Sequence, residues 1–163
     1  MIGNTKKNYD GVWRKNGGEE PMTAETVARS VMNGDRRVAI LDGPSGCGKT
    51  HILRLIRESN AEKTVTVMSA RDIMDELLPW IVERRGDARS YAHSFADTEV
   101  LCIEDTDMSL LGKEATQCEI SEMVQSFAKH GMVILTGIDV KEKVPVLYDN
   151  LASLADVYTF TEK

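Results

Sequence analysis

The chain has 163 residues, 42% of them hydrophobic and 28% charged, with a formal net charge of −6. Those values suit one domain with one sizeable core of an ordinary soluble globular protein. The acidic balance argues against broad electrostatic capture of nucleic acid, and no apolar run approaches the about 18 residues needed to cross a bilayer.

Residues 1–20 hold Gly11, Gly17, Gly18 and several Asn and Lys, and read as loosely structured. Met1 to Asp10 is polar and lacks the apolar run of a secretory signal, which places the protein in the cytoplasm. Residues 21–163 then read as a single domain. Thr23 is placed to cap a helix carrying Glu25 in its first turn and Val27, Ala28, Val31 and Met32 at helical spacing, and Gly34 ends the run. Val38-Ala39-Ile40-Leu41 is a continuous apolar run of the kind found in a strand buried on both faces. After a glycine-rich stretch, Ile52, Leu53, Leu55 and Ile56 mark the buried stripe of the next helix.

The alternation continues with a strand over Thr64 to Met68. A helix bearing Ile73, Leu77 and Ile81 follows, with Pro79 set to kink or shorten it. Val100-Leu101-Cys102-Ile103 reads as the third buried strand, and a helix from about Lys113 to Lys129 buries Ile120, Met123, Val124 and Phe127. Met132 to Leu135 forms the fourth strand and Val157 to Phe160 the fifth. Strands alternating with helices imply an α/β fold: five mostly parallel strands with helices on both faces.

Gly43-Pro44-Ser45-Gly46-Cys47-Gly48-Lys49-Thr50 joins a buried strand to a helix. A loop that cradles phosphate must bend tightly and present successive backbone N–H groups, which glycines at 43, 46 and 48 allow. The following helix adds the partial positive charge of its N-terminus. Lys49 is placed to reach β- and γ-phosphates, and the Thr50 hydroxyl to ligate Mg²⁺. His51 follows in the same segment and is grouped with Gly43–Thr50 as a cofactor-binding candidate; no nucleophile pattern surrounds it or His93, and both suit structural or exposed positions. His130 suits a helix C-terminus.

A loop of this kind needs an acid at the end of another buried strand. Glu104-Asp105 follows Val100–Ile103 directly, and acids closing a buried strand are costly unless paired or metal-facing. Glu104 and Asp105 are thus candidates for a metal or water role; Asp107 reads as a loop residue. Thr136, just after Val133-Ile134-Leu135, belongs between the loop and the acidic strand, near a γ-phosphate or attacking water. Cys47, Cys102 and Cys118 follow no metal spacing and form no even set, which suits a reducing compartment. Arg84, Arg85 and Arg89 form the densest basic patch and suit a solvated helix end.

With these residues in place, the chain resembles the nucleotide-binding core of DnaA, the bacterial replication initiator, and related AAA+ ATPases that include helicase loaders. The resemblance runs from about Val38 to Phe160. It is carried by Gly48-Lys49-Thr50-His51-Ile52-Leu53, by Val100 to Asp105, and by Ile134-Leu135-Thr136. Most specific is Leu111-Gly112-Lys113-Glu114-Ala115-Thr116-Gln117.

The resemblance implies a three-layer P-loop fold, ATP or ADP with Mg²⁺, and action through an initiator, a helicase or another AAA+ protein. It further implies Lys49 and Thr50 as phosphate and metal ligands, Glu104 as the metal-organising acid, Asp105 as the residue that polarises water, and Thr136 at the first sensor region beside Asp139. The family usually has Asp where Glu104 stands, and arginines in a stretch like Asp-Arg-Leu-x-Ser-Arg-Phe. Here the run is Asp149-Asn150-Leu151-Ala152-Ser153-Leu154-Ala155, without either arginine. The chain ends after its last strand, so the helical lid, its second sensor arginine and the DNA-reading helix-turn-helix are expected to be absent. Hydrolysis should then be slow or partner-dependent, and direct sequence-specific DNA binding is not expected.

Two other readings stay open. A small P-loop kinase shares the phosphate loop, yet it needs an arginine-bearing lid, and no arginine follows Arg89. A nucleotide-independent interaction domain could keep the fold alone. No Asn-Lys-x-Asp stretch supports a GTPase.

Overall fold

The computed structural model describes residues 11–162. The polar segment Met1–Asp10, with the readings made of it, lies outside the described residues, as does Lys163. The elements in chain order are β1 (Gly11–Lys15), α1 (Ala24–Asn33), β2 (Val38–Asp42), α2 (Lys49–Ser59), β3 (Val65–Ser69), α3 (Ala70–Val82) and α4 (Ala88–Ala92). They continue with β4 (Val100–Glu104), α5 (Thr106–Leu110), α6 (Glu114–Phe127), β5 (Met132–Gly137), α7 (Val140–Lys143), α8 (Pro145–Ala152) and β6 (Ala155–Glu162).

These strands form one sheet in the order β1-β6-β2-β5-β4-β3, parallel throughout except for the β1–β6 pair. Because side chains alternate along a strand, one sequence feeds two cores. Val133 and Leu135 of β5 join the cluster that holds Ile73 of α3, Ile120 of α6 and Leu147 of α8. Ile134 joins the opposite cluster, with Val27 of α1 and Ile52 of α2. Continuous apolar runs in β2, β4 and β5 are what burial on both faces requires.

The sheet has six strands, one more than the sequence pattern suggests, and Gly11–Lys15 is ordered as β1 where a loose segment was expected. Only Trp13 of its five residues is buried, and an edge strand with one core residue carries no period-two signal. Trp13 packs edge-to-face on Phe160 at 5.6 Å, and its backbone exchanges hydrogen bonds with Met22 at 3.2 and 2.8 Å. β1 also accounts for the length of β6: Tyr158–Glu162 pair with β1, whereas Ala155–Thr159 pair with β2.

Local chemistry sets the helix ends. Thr23 caps α1 by accepting the Thr26 amide at 3.2 Å, and Ser69 caps α3 through the Asp72 amide at 3.0 Å. α3 runs on through Pro79 to Val82, so the proline neither ends nor shortens it at that point. α6 begins at Glu114 and closes at Phe127, so Lys129 and His130 lie in the turn that leads to Gly131. Among the described residues, no helix is long and apolar enough to cross a membrane.

Candidate nucleotide-binding site

β5 lies between β2 and β4, so the glycine-rich loop after β2 and the acids after β4 flank its carboxyl end. Leu41 of β2 pairs with Thr136 of β5, and Ile103 of β4 with Leu135. Gly43–Thr50, Glu104, Asp105 and Thr136 therefore share one edge of the sheet, as their order in the sequence requires. Ligands of open α/β sheets bind at this carboxyl edge.

Within the loop the glycines have different work. Gly46 (φ 86°) and Gly48 (φ 109°) take the left-handed conformation that side chains disfavour. Gly43 is instead a packing glycine. A Cβ there would stand 2.6 Å from Cys47 Sγ and 2.9 Å from Phe160 Cβ. Pro44 accepts the Cys47 amide at 3.2 Å and closes the turn, while Ser45 and Gly46 are exposed.

Gly48 offers α2 no side-chain cap, and the first turn of α2 has no acid. Its leading N–H groups thus keep their capacity for an anion. Lys49, half-buried at the start of α2, donates its ammonium to the Gly43 carbonyl. Burial pulls that ammonium below the usual lysine value, opposed by Cys47, Asp107, Asp42 and Asp105 around it. Thr50 is exposed at the same end of α2. His51 is exposed too, 4.0 Å from Glu25 of α1.

Glu104, the last residue of β4, is half-buried. Burial raises its carboxyl pKa, Asp105 raises it further, and Arg57 of α2 opposes both. Asp105 is exposed and left-handed (φ 58°), which lets the chain turn sharply from β4 into α5. Asp139 does the same (φ 49°) between β5 and α7, and aspartate tolerates this conformation better than most residues. Thr136 is buried, and its carbonyl accepts the Thr106 hydroxyl at 3.0 Å.

Asp107 departs from its expected place in a loop. It is only 3% exposed, within α5, and accepts the Ile138 amide at 3.0 Å with Lys143 at 3.9 Å. The reason is tertiary: α5 folds back over the end of β5, where Gly137 has no side chain and leaves room for Thr106 and Asp107. Asp42 was not singled out either. It accepts the amides of Asp139 and Val140 at 2.9 and 3.2 Å. Its signal was present, since Asp42 closes a buried apolar strand just as Glu104 does.

The residues fit a magnesium-bound nucleotide in kind. Free N–H groups, Lys49 and Thr50 suit phosphates, and Glu104 suits a cation that keeps several waters and phosphate oxygens as ligands. No cluster of three or more His, Cys, Asp or Glu side chains among the described residues forms an all-protein metal cage.

Comparison with known proteins decides the family. The model of the bacterial DnaA ATPase domain matches residues 17–156. The chain belongs to the bacterial DnaA ATPase-domain family. The architecture agrees with this DnaA-type AAA+ assignment. AMPPCP-bound DnaA from Aquifex aeolicus superposes with a TM-score of 0.60 at 21% identity, over 78% of this chain and 41% of that one. Domain III of the Thermotoga maritima replication initiation protein DnaA gives 0.64 at 18% identity, over 85% and 61%. A DnaC helicase loader gives 0.59 at 15% identity, over 88% and 94%. The chain thus spans 41% to 61% of these DnaA structures but is matched in extent to the loader. At such identities the likeness is one of fold. No curated protein sequence matches significantly.

Proposed function

We propose that this DnaA-type chain is a nucleotide-binding module of replication initiation or helicase loading that acts through protein partners and hydrolyses ATP slowly. The observation that carries the reading is the uncapped N-terminus of α2 behind the turn at Gly46 and Gly48, with Lys49 at its first position. Backbone N–H groups of residues 46–50 would hold the phosphates, and Lys49 would leave the Gly43 carbonyl to meet them. Thr50 and Glu104 would hold Mg²⁺, which supplies neutralisation of phosphate charge. Asp105 would act on water and Thr136 would hold its position beside the γ-phosphate. AMPPCP in a DnaA relative supports ATP or ADP as the ligand.

The arginine-free run Asp149–Ala155 supports slow turnover, since an arginine finger contributes about 10³–10⁵ in rate in P-loop enzymes. The net charge of −6 favours proteins over DNA as partners: an initiator, a helicase or another AAA+ protein. Residues 21–163 would serve as one unit, in the cytoplasm.

Titration calorimetry with Mg-ATP and Mg-ADP tests the reading. The folded chain is expected to bind both, Lys49→Ala to lose binding while keeping its circular dichroism, and ATP turnover to stay far below roughly 1 s⁻¹, the low end for kinases. Absence of nucleotide heat from the folded wild type would overturn it and leave an interaction domain that retains the fold. Fast turnover with phosphate passed to a small molecule would indicate a kinase.

A further inference from the structure

Three successive amides after β5 are captured by two carboxylates from different parts of the fold. Ile138 N–H goes to Asp107 Oδ1 at 3.0 Å, and those of Asp139 and Val140 go to Asp42 Oδ1 and Oδ2 at 2.9 and 3.2 Å. Asp42 thus spends both oxygens on the entry to α7. It is also the residue directly before Gly43, and the Gly43 amide donates to the Gly137 carbonyl at 3.2 Å. Three hydrogen bonds therefore lock residues 42–43 to residues 137–140. Asp139 holds a left-handed backbone inside that lock. α7 continues through Val144 straight into α8, so movement of the 137–140 turn carries both helices.

Charge links this junction to the loop. The Lys49 ammonium lies in the field of Asp42, Asp105 and Asp107. A phosphate arriving at α2 would draw Lys49 away from Gly43 and place negative charge near Asp42 and Asp107. The carboxylates that hold the turn would then feel repulsion that is absent from the nucleotide-free form.

We propose that Asp42 is a positioning residue that makes the phosphate loop and the turn after β5 move as one, so that nucleotide occupancy reaches α7 and α8. The inference rests on the nucleotide-binding reading above. Asp107 anchors the same turn to the acidic strand but does not touch the loop.

Amide-resolved NMR of the wild type and Asp42→Ala, with and without Mg-ADP, tests it. Without nucleotide, the Asp139 and Val140 amides should exchange roughly tenfold faster in Asp42→Ala, while Ile138 keeps its protection through Asp107. On addition of Mg-ADP, wild-type shifts should extend from Gly43–Thr50 to Val140–Tyr148. In the variant the loop shifts persist and those of α7–α8 vanish.

Wild-type shifts confined to the loop would overturn the coupling, as would α7–α8 shifts undiminished in Asp42→Ala or unchanged exchange at Asp139 and Val140. No shift anywhere in the wild type marks instead the failure of the nucleotide reading, and the coupling falls with it. Should Asp42→Ala not fold, Asp42→Asn keeps one acceptor and removes the charge. Its α7–α8 response should drop at least about twofold, and an undiminished response overturns the proposal.

Discussion

Gln117 accepts the amide of Leu147 at 3.1 Å from the buried side of α6. The same side chain donates to the Leu110 carbonyl at 2.8 Å, so both ends of its amide are used. Leu147 stands in the first turn of α8, whose N-cap position is Val144, a residue that cannot cap. Gln117 thus caps α8 from another helix and ties α5, α6 and α8 together. The Gly-Lys-Glu-x-Thr-Gln stretch, the most specific family signal in the chain, ends in a residue whose work here is structural.

Gln117→Leu keeps the volume but leaves the buried Leu147 N–H without its partner, while the Leu110 carbonyl keeps the Lys113 amide at 3.0 Å. It should lower stability by about 1–3 kcal/mol, the cost of one orphaned buried group, measured by urea denaturation. A loss below about 0.5 kcal/mol, the level of an ordinary surface substitution, would show that the tie is not stabilising.

Gly43→Ala tests the packing role of that glycine. The new methyl meets Cys47 Sγ, Phe160 Cβ and Trp13 Cη2 at 2.6, 2.9 and 3.3 Å, so the loop must shift from β6 and β1. Overpacking of this kind costs about 1–3 kcal/mol. Cys47→Ala removes the nearest atom, and the double variant should recover at least about 0.5 kcal/mol relative to the sum of the single changes. Strict additivity would place the clash elsewhere.

The three cysteines should separate by reactivity. Cys118 is exposed, Cys47 is half-buried with its thiol pKa raised by burial, and Cys102 is buried. A disulfide reagent at pH 8 should modify Cys118 first and Cys47 more slowly, with Cys102 reacting only as fast as the protein unfolds. Rapid labelling of Cys102 in the folded chain would contradict its place inside β4.

Burial pushes the Cys102 thiol from 9.0 up to about 12. The folded state therefore holds this proton after the unfolded chain has released it. Stability from the neutral thiol is complete below pH 9 and declines as pH rises from 9 toward 12. Wild type should lose stability faster than Cys102→Ala from pH 9 upward, the difference in slope approaching about 1.4 kcal/mol per pH unit in the middle of that window. Parallel stability curves for the two proteins between pH 8 and 10.5 would refute this.

The order of elements was legible because each buried strand of the parallel core is an uninterrupted apolar run and each helix repeats its stripe. Val38–Leu41, Val100–Ile103 and Met132–Leu135 each specify a strand without reference to anything distant. β1 was not legible: Trp13 alone is buried there, and the strand that β1 pairs with is β6, more than a hundred residues away. Glu104 and Asp105 were found because they close a buried strand. The same pattern stands at Asp42, but its partners, the amides of Asp139 and Val140, come from a turn 97 and 98 residues away.

What the sequence determined by itself was the glycine-rich turn into α2, since Gly46 and Gly48 act through their own backbone and the helix that follows them. The tertiary structure decided which role each neighbouring residue takes. Gly43 became a packing glycine when Phe160 and Trp13 arrived from the far ends of the chain. Asp107 became buried when α5 folded over Gly137, and Gln117 became the cap of a helix 30 residues away. The physical reason is common to all three. A backbone conformation is dictated within a few residues, whereas the partner of a buried polar group, or the atom that forbids a methyl, is supplied only by the packing of distant elements.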